Sequence, residues 1–173
     1  MPELPEVETV RRRLLTCLPG LLVRDVLLND ATVSDKSEAE LRALLASRRV
    51  TGLRRRGKYL IVDLGAPEGC PGAAEAVAGP TVAVIHLRMT GQLLFRPGPA
   101  DRLPRFVWRL EPRTELHFQD VRRFGRLWAF PPAREAEFFA GMGPEPFGDE
   151  FTVAYLRREL EGRRAPVAAS RRS

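Results

Sequence analysis

The 173-residue chain is long enough for one domain with a short appended segment, and its 44% apolar content is normal for a globular core. No run approaches the roughly 20 apolar residues of a membrane span, and Glu3, Glu6 and Glu8 interrupt the start too early for a signal peptide. A formal charge of +6, nearly all arginine, fits a polyanion partner through phosphate contacts, although basic composition alone gives the same figure.

Val7, Val10, Leu14, Leu15 and Leu18 recur at helical spacing, with Pro5 in the first turn and Pro19-Gly20 ending the run. Leu21–Leu28 reads as a strand. Ser37 with Glu40 has the pattern of a capping box and opens a second helix through Leu41, Leu44 and Leu45. From Val50 onward the period shortens. Lys58–Leu64, Thr81–Leu87, Gln92–Phe95, Phe106–Leu110, Glu115–Gln119 and Arg126–Phe130 are short runs of β-branched, aromatic and leucine residues between turn residues. Gly65–Pro80 reads as a long surface loop. The expected fold is α+β and mostly β: a two-layer β-sandwich of about eight strands flanked by an N-terminal helix and a second helix. Residues 1–130 form the expected sandwich domain and 131–150 a linker. Residues 151–173 hold a further helix, near Thr152–Glu161, and an arginine-rich tail. Cys17 and Cys70 make no metal-ligand spacing, so neither a metal site nor a disulfide is expected.

The chemistry starts with Met1-Pro2-Glu3-Leu4-Pro5-Glu6. Removal of Met1 leaves Pro2 with a free secondary amine. An α-amino group titrates at about 7.7–8.0, so on the order of a tenth is unprotonated at neutral pH, far more than for a lysine. Such an amine is well suited to attack a sugar carbon and form an imine, with Glu3 and Glu6 placed to move protons. An ordinary helix start, its acids complementing the dipole, has the same letters.

Five segments in order then carry a family resemblance. Met1–Arg12 (MPELPEVETVRR), Arg56-Gly57-Lys58-Tyr59-Leu60, His86-Leu87-Arg88-Met89-Thr90-Gly91, Asp120-Val121-Arg122-Arg123-Phe124-Gly125 and Gly143-Pro144-Glu145-Pro146 resemble the motifs of formamidopyrimidine-DNA glycosylases. The resemblance implies that Pro2 attacks the anomeric carbon and forms a Schiff base. It makes Glu3 the general acid/base, Glu6 a supporting carboxylate and Lys58 a phosphate contact that aids proton transfer. Met89, Arg122 and Phe124 are implied to fill the gap left by a flipped-out nucleotide, face the orphaned base and wedge the stack. Without the family, Met89 and Phe124 read as core residues, although each lies in a turn beside a glycine. His86 is expected to contact a phosphate or to sit hydrogen-bonded at a strand end.

Three departures stand out. Arg88 replaces the glycine of HLGMSG, and Val121 replaces the proline of DPRRFG. Arg102-Leu103-Pro104-Arg105 stands where the family often carries a histidine-bearing segment, which weakens one expected phosphate contact. The family continues into a helix–two-turn–helix domain and usually a zinc finger. Here residues 151–173 read as the truncated start of that region, with Arg164 a DNA contact and no zinc or other cofactor expected in this chain. The expected function is excision of oxidised purines from double-stranded damaged DNA, with abasic-site lyase activity, by a cytoplasmic, nucleoid-associated monomer. The alternatives are a catalytically impaired DNA-binding fragment and an endonuclease VIII-like glycosylase for oxidised pyrimidines.

Overall fold

The computed structural model describes residues 3–68, 79–96, 103–145 and 148–161; Pro2, Cys70 and Arg164 lie outside them. The chain divides into two compact units, Met1–Phe138 and Phe139–Ser173. The first opens with α1 (Leu4–Leu15), followed by β1 (Leu22–Leu28), α2 (Glu38–Leu45), β2 (Arg48–Arg56) and β3 (Tyr59–Pro67). It continues through β4 (Thr81–His86), β5 (Gln92–Arg96), β6 (Phe106–Glu111), β7 (Thr114–Gln119), β8 (Arg126–Phe130) and the short α3 (Glu135–Phe138). The second unit contains α4 (Val153–Leu160), whose N-cap Thr152 accepts a hydrogen bond from the Tyr155 amide.

The eight strands are hydrogen-bonded in the order β5-β7-β6-β1-β2-β3-β4-β8, every pair antiparallel. The two expected layers are thus joined through one continuous sheet. Both ends of it, Leu93 and Phe118 at one and Leu127 and Ala129 at the other, contribute to a single core cluster. The helices bury one stripe each, Val7 and Leu14 from α1 and Leu41 and Leu45 from α2. Full burial of a leucine or valine contributes roughly 1.5–3 kcal/mol, which ties both helices to the sheet.

Ser37 caps α2 as its spacing anticipates: its hydroxyl accepts from the Glu40 amide, and Glu40 accepts from the Ser37 amide. Arg48–Arg56 is an unanticipated strand. Its five arginines and a register shift between Val50 and Gly52 break the alternation, so Val50 and Leu53 both point into the core while the arginine heads find carboxylates and carbonyls. Strand β3 reaches Pro67, into the stretch read as a loop, and the expected linker contains a 3₁₀ turn, Pro132–Arg134, and α3. Among the described residues, no helix is long and apolar enough to cross a membrane.

Candidate active site

Helix α1 begins one residue after Glu3, its N-cap, and Pro5 suits this first turn because its missing N–H would have no helical partner. The Glu3 amide donates to Glu6 Oε2 at 2.9 Å, so the Glu6 carboxylate caps the helix. The Glu3 side chain, the other half of this capping box, also faces Lys58, with Oε2 2.7 Å from Nζ. Both groups meet solvent, the side chains being 55% and 33% exposed. Lys58 lies in the two-residue turn between β2 and β3 rather than within a strand, and Gly57 supplies the positive φ of 54° at the turn's first position.

What brings helix and hairpin together is Glu8, a residue the sequence reading left unassigned. It accepts from Arg11 at 2.7 and 2.9 Å, from Arg12 at 2.9 Å and from Arg55 of β2 at 3.2 Å. Arg55 also donates to the Gly57 carbonyl at 2.9 Å, the turn that carries Lys58. The Arg11 hydrogen bond, against the opposing effect of burial and helped by Arg12 and Arg55, holds the Glu8 carboxyl down to about 2. The spacing of Glu8 to Arg11 and Arg12 was a usable signal, since residues three and four apart meet on a helix face.

The second constellation lies on two turns. Met89 is 37% exposed, Phe124 is 54% exposed, and Arg122 is exposed. Their surroundings explain why large side chains stand out in water here. A Cβ at Gly91 or at Gly125 would run into the same buried ring, Phe118, so each turn must pack its glycine there and point its neighbours outward. Asp120 joins the turns. Its Oδ2 accepts from the Gly125 amide at 2.7 Å and its Oδ1 from the Thr90 hydroxyl, which in turn accepts from the Arg122 amide at 3.2 Å. Behind Asp120 sits Arg105, 3.3 Å away, with side-chain exposures of 4% and 0%. Burial of polar residues this complete was not legible from a segment reading Arg-Leu-Pro-Arg.

Arg88, at the family's glycine position, adopts φ 56°, and Arg123 adopts φ 58°. A left-handed conformation costs a non-glycine residue on the order of 1–2 kcal/mol, so the turn keeps a glycine-type shape without the glycine. His86 is buried, with its ring edge-on to Tyr59 at 4.6 Å, and its Nδ1 accepts from the Arg88 amide at 2.9 Å. Burial first, then the charges of Arg88 and Lys58, lowers its pKa to about 4. The neutral ring therefore carries its proton on Nε2 and shapes the turn before Met89. Among the described residues, no group of three or more His, Cys, Asp or Glu is arranged to hold a metal.

The structure thus brings Glu3 and Lys58 together beside the helix start, and separately gathers Met89, Arg122 and Phe124 on linked turns. Chemically, the first place offers a carboxylate and an ammonium open to solvent, and the second an apolar and guanidinium surface open to solvent.

Known proteins share this arrangement of sequence and fold. Residues 1–127 match the model of the formamidopyrimidine-DNA glycosylase N-terminal domain. Formamidopyrimidine-DNA glycosylase of Moorella thermoacetica is 39% identical over 96% of this chain and 58% of its own, and that of a Synechococcus species is 40% identical with the same coverage. The chain therefore spans under two thirds of the length of these curated relatives. Fpg from Lactococcus lactis, solved in complex with DNA containing an oxidised pyrimidine, superposes with a TM-score of 0.80 at 27% identity, over 93% of this chain and 57% of that one. The same enzyme bound non-covalently to DNA with an abasic site gives 0.79 at 26% identity, over 92% of this chain and 57% of that one. With the family's N-terminal domain matched over most of its length, this chain belongs to the formamidopyrimidine-DNA glycosylases.

Proposed function

We propose that the chain carries the catalytic half of a bifunctional glycosylase that removes oxidised purines from duplex DNA and then cuts the strand. The observation that carries this reading is the solvent-facing Glu3–Lys58 pair, whose Glu3 directly follows Pro2 in the chain. The Pro2 nitrogen forms a bond to C1′ as the glycosidic bond breaks, and the base leaves with the electron pair and takes a proton. Glu3 passes a proton to the ring oxygen as the sugar opens to an iminium. Loss of protons from the sugar then expels the 3′ and 5′ phosphates in turn, with Lys58 beside the phosphate. These steps draw on an amine, carboxylates and a lysine, and call for no cofactor in this chain. The setting is the cytoplasm, on nucleoid DNA, with the protein acting as a monomer.

Borohydride trapping tests this directly. The chain, with Met1 removed, is expected to form a covalent adduct with duplex carrying 8-oxoguanine opposite cytosine and with a preformed abasic duplex. Capture that persists with the Pro2 amine blocked by an uncleaved tag overturns the mechanism. Absence of capture on both duplexes favours a DNA-binding fragment instead. The oxidised pyrimidine in the Lactococcus lactis complex supports a second reading, in which the substrate range includes pyrimidines. A thymine glycol duplex cut faster than the 8-oxoguanine duplex would favour it.

A further inference from the structure

We propose that Arg105 is a positioning residue: it locks the turn of Met89 and the turn of Arg122 and Phe124 into one block, and thereby sets how selectively the base opposite the lesion is read. The inference rests on the DNA-repair reading above.

Arg105 precedes β6, and both its backbone and its side chain are engaged. Its amide donates to the Phe118 carbonyl at 2.7 Å, and its carbonyl accepts from the Asn29 and Asp30 amides at 2.9 and 3.1 Å. The guanidinium donates from Nε to Asp30 at 3.0 Å, and from Nη2 to the Thr32 hydroxyl at 3.0 Å. Its Nη1 reaches both Asp120, at 3.3 Å, and the Gly125 carbonyl, at 2.9 Å. These four acceptors lie in two separate stretches of chain, 30–32 and 120–125, and a rigid planar fork of donors reaches them together where a lysine ammonium on a flexible stem does not. Asp120 relays the hold to Thr90, and Thr90 to the Arg122 amide. Met89 directly precedes Thr90, and Phe124 directly precedes the held Gly125. Arg105 is thus connected to both turns while remaining 4% exposed, away from any DNA it would influence.

Hydrogen-bond readout is steep in distance and angle, so a turn free to drift loses selectivity before it loses affinity. Affinity from phosphate contacts, in contrast, tolerates such drift.

The test uses the whole chain with Arg105→Lys, which keeps the charge, and Thr90→Val, which cuts the link between the turns but leaves the buried ion pair. The first measurement is amide exchange over residues 87–91 and 120–125, with β3 and β4 as reference. Exchange is expected to quicken about tenfold in both turns and to stay unchanged in the reference strands. The second is binding to a duplex with a stable abasic analogue opposite cytosine and opposite adenine. In both variants the ratio between the two duplexes is expected to collapse toward one, while affinity for undamaged duplex stays within about twofold. Loosening of one turn only, or an intact ratio with both turns loosened, overturns the proposal. A wild-type chain that does not distinguish damaged from intact duplex overturns the functional reading. The positioning claim then stands or falls on the exchange in the two turns. If Arg105→Lys does not fold, Thr32→Val, which removes one contact of the guanidinium, is read by the same criteria.

Discussion

The two functional regions are built in opposite ways. The Glu3–Lys58 pair is an ion pair in water, held by a helix start and a hairpin turn, with side chains 55% and 33% exposed. The turns bearing Met89, Arg122 and Phe124 rest on the buried Arg105–Asp120 pair, whose side chains are 4% and 0% exposed, and on the Phe118 ring. Solvent gives the first region little stability of its own, since exposed pairs contribute about 0–1 kcal/mol, but leaves it free to meet a sugar and exchange protons. The second region presents its apolar and guanidinium surface outward and keeps its geometry through a dry interior. On the proposed function, chemistry is placed where stability has little to lose, and recognition where stability fixes the shape.

That contrast breaks most visibly at Glu3. Glu3→Gln is expected to slow strand cutting by about 10²–10⁴-fold, the usual worth of a positioned general acid or base, while stability changes by under about 1 kcal/mol. Single-turnover cutting of an abasic duplex and a urea melt on the same preparation check both halves. A large loss of stability would mean that the pair is structural after all. Asp120→Ala should show the reverse. Arg105 keeps Asp30, but the buried Gly125 amide loses its acceptor, which costs about 1–3 kcal/mol, read as a lowered urea midpoint. Covalent capture per folded molecule on a preformed abasic duplex is expected to change less than for Glu3→Gln, because no base has to be read there.

How legible each region was follows from the same contrast. Pro5, the Ser37–Glu40 box and the alternating apolar strands are local signals, and the helices and most strands followed from them. Local sequence placed Lys58 near the right element but not at its turn, because only the Gly57 conformation distinguishes the two. β2 was missed because its arginines dilute the apolar pattern and a register shift between Val50 and Gly52 breaks the alternation. The residues gathered by the family motifs were given roles in advance, whereas the supporting roles of their neighbours were not. Glu8 reaches Arg55, Thr90 reaches Asp120, and Arg105 reaches Asp30, Thr32 and Asp120 across 15 to 75 residues, and no window of sequence contains such long-range pairs as a recognisable pattern. Asp120 stood inside a quoted motif, yet only the fold shows it turned inward against Arg105.

His86 lies between the two regions, next to Tyr59 and one residue from the Met89 turn, and gives the smallest expected effect. Its pKa falls from 6.5 to about 4 in the folded protein, first through burial and then through the charges of Arg88 and Lys58. Between those values the unfolded chain binds more protons than the native one, so stability is fully present above pH 6.5 and declines as pH falls toward 4. His86→Asn retains an oxygen able to accept from the Arg88 amide but does not titrate. The variant is expected to be somewhat less stable at pH 7, because it packs poorly against Tyr59, and to show a flatter stability profile between pH 6.5 and 4. Urea midpoints at half-unit pH steps check this. A profile equally steep in the variant would place the titrating group elsewhere. The same scan read by covalent capture would then tell whether charging His86 disturbs only the Met89 turn or also the Lys58 hairpin it packs beside.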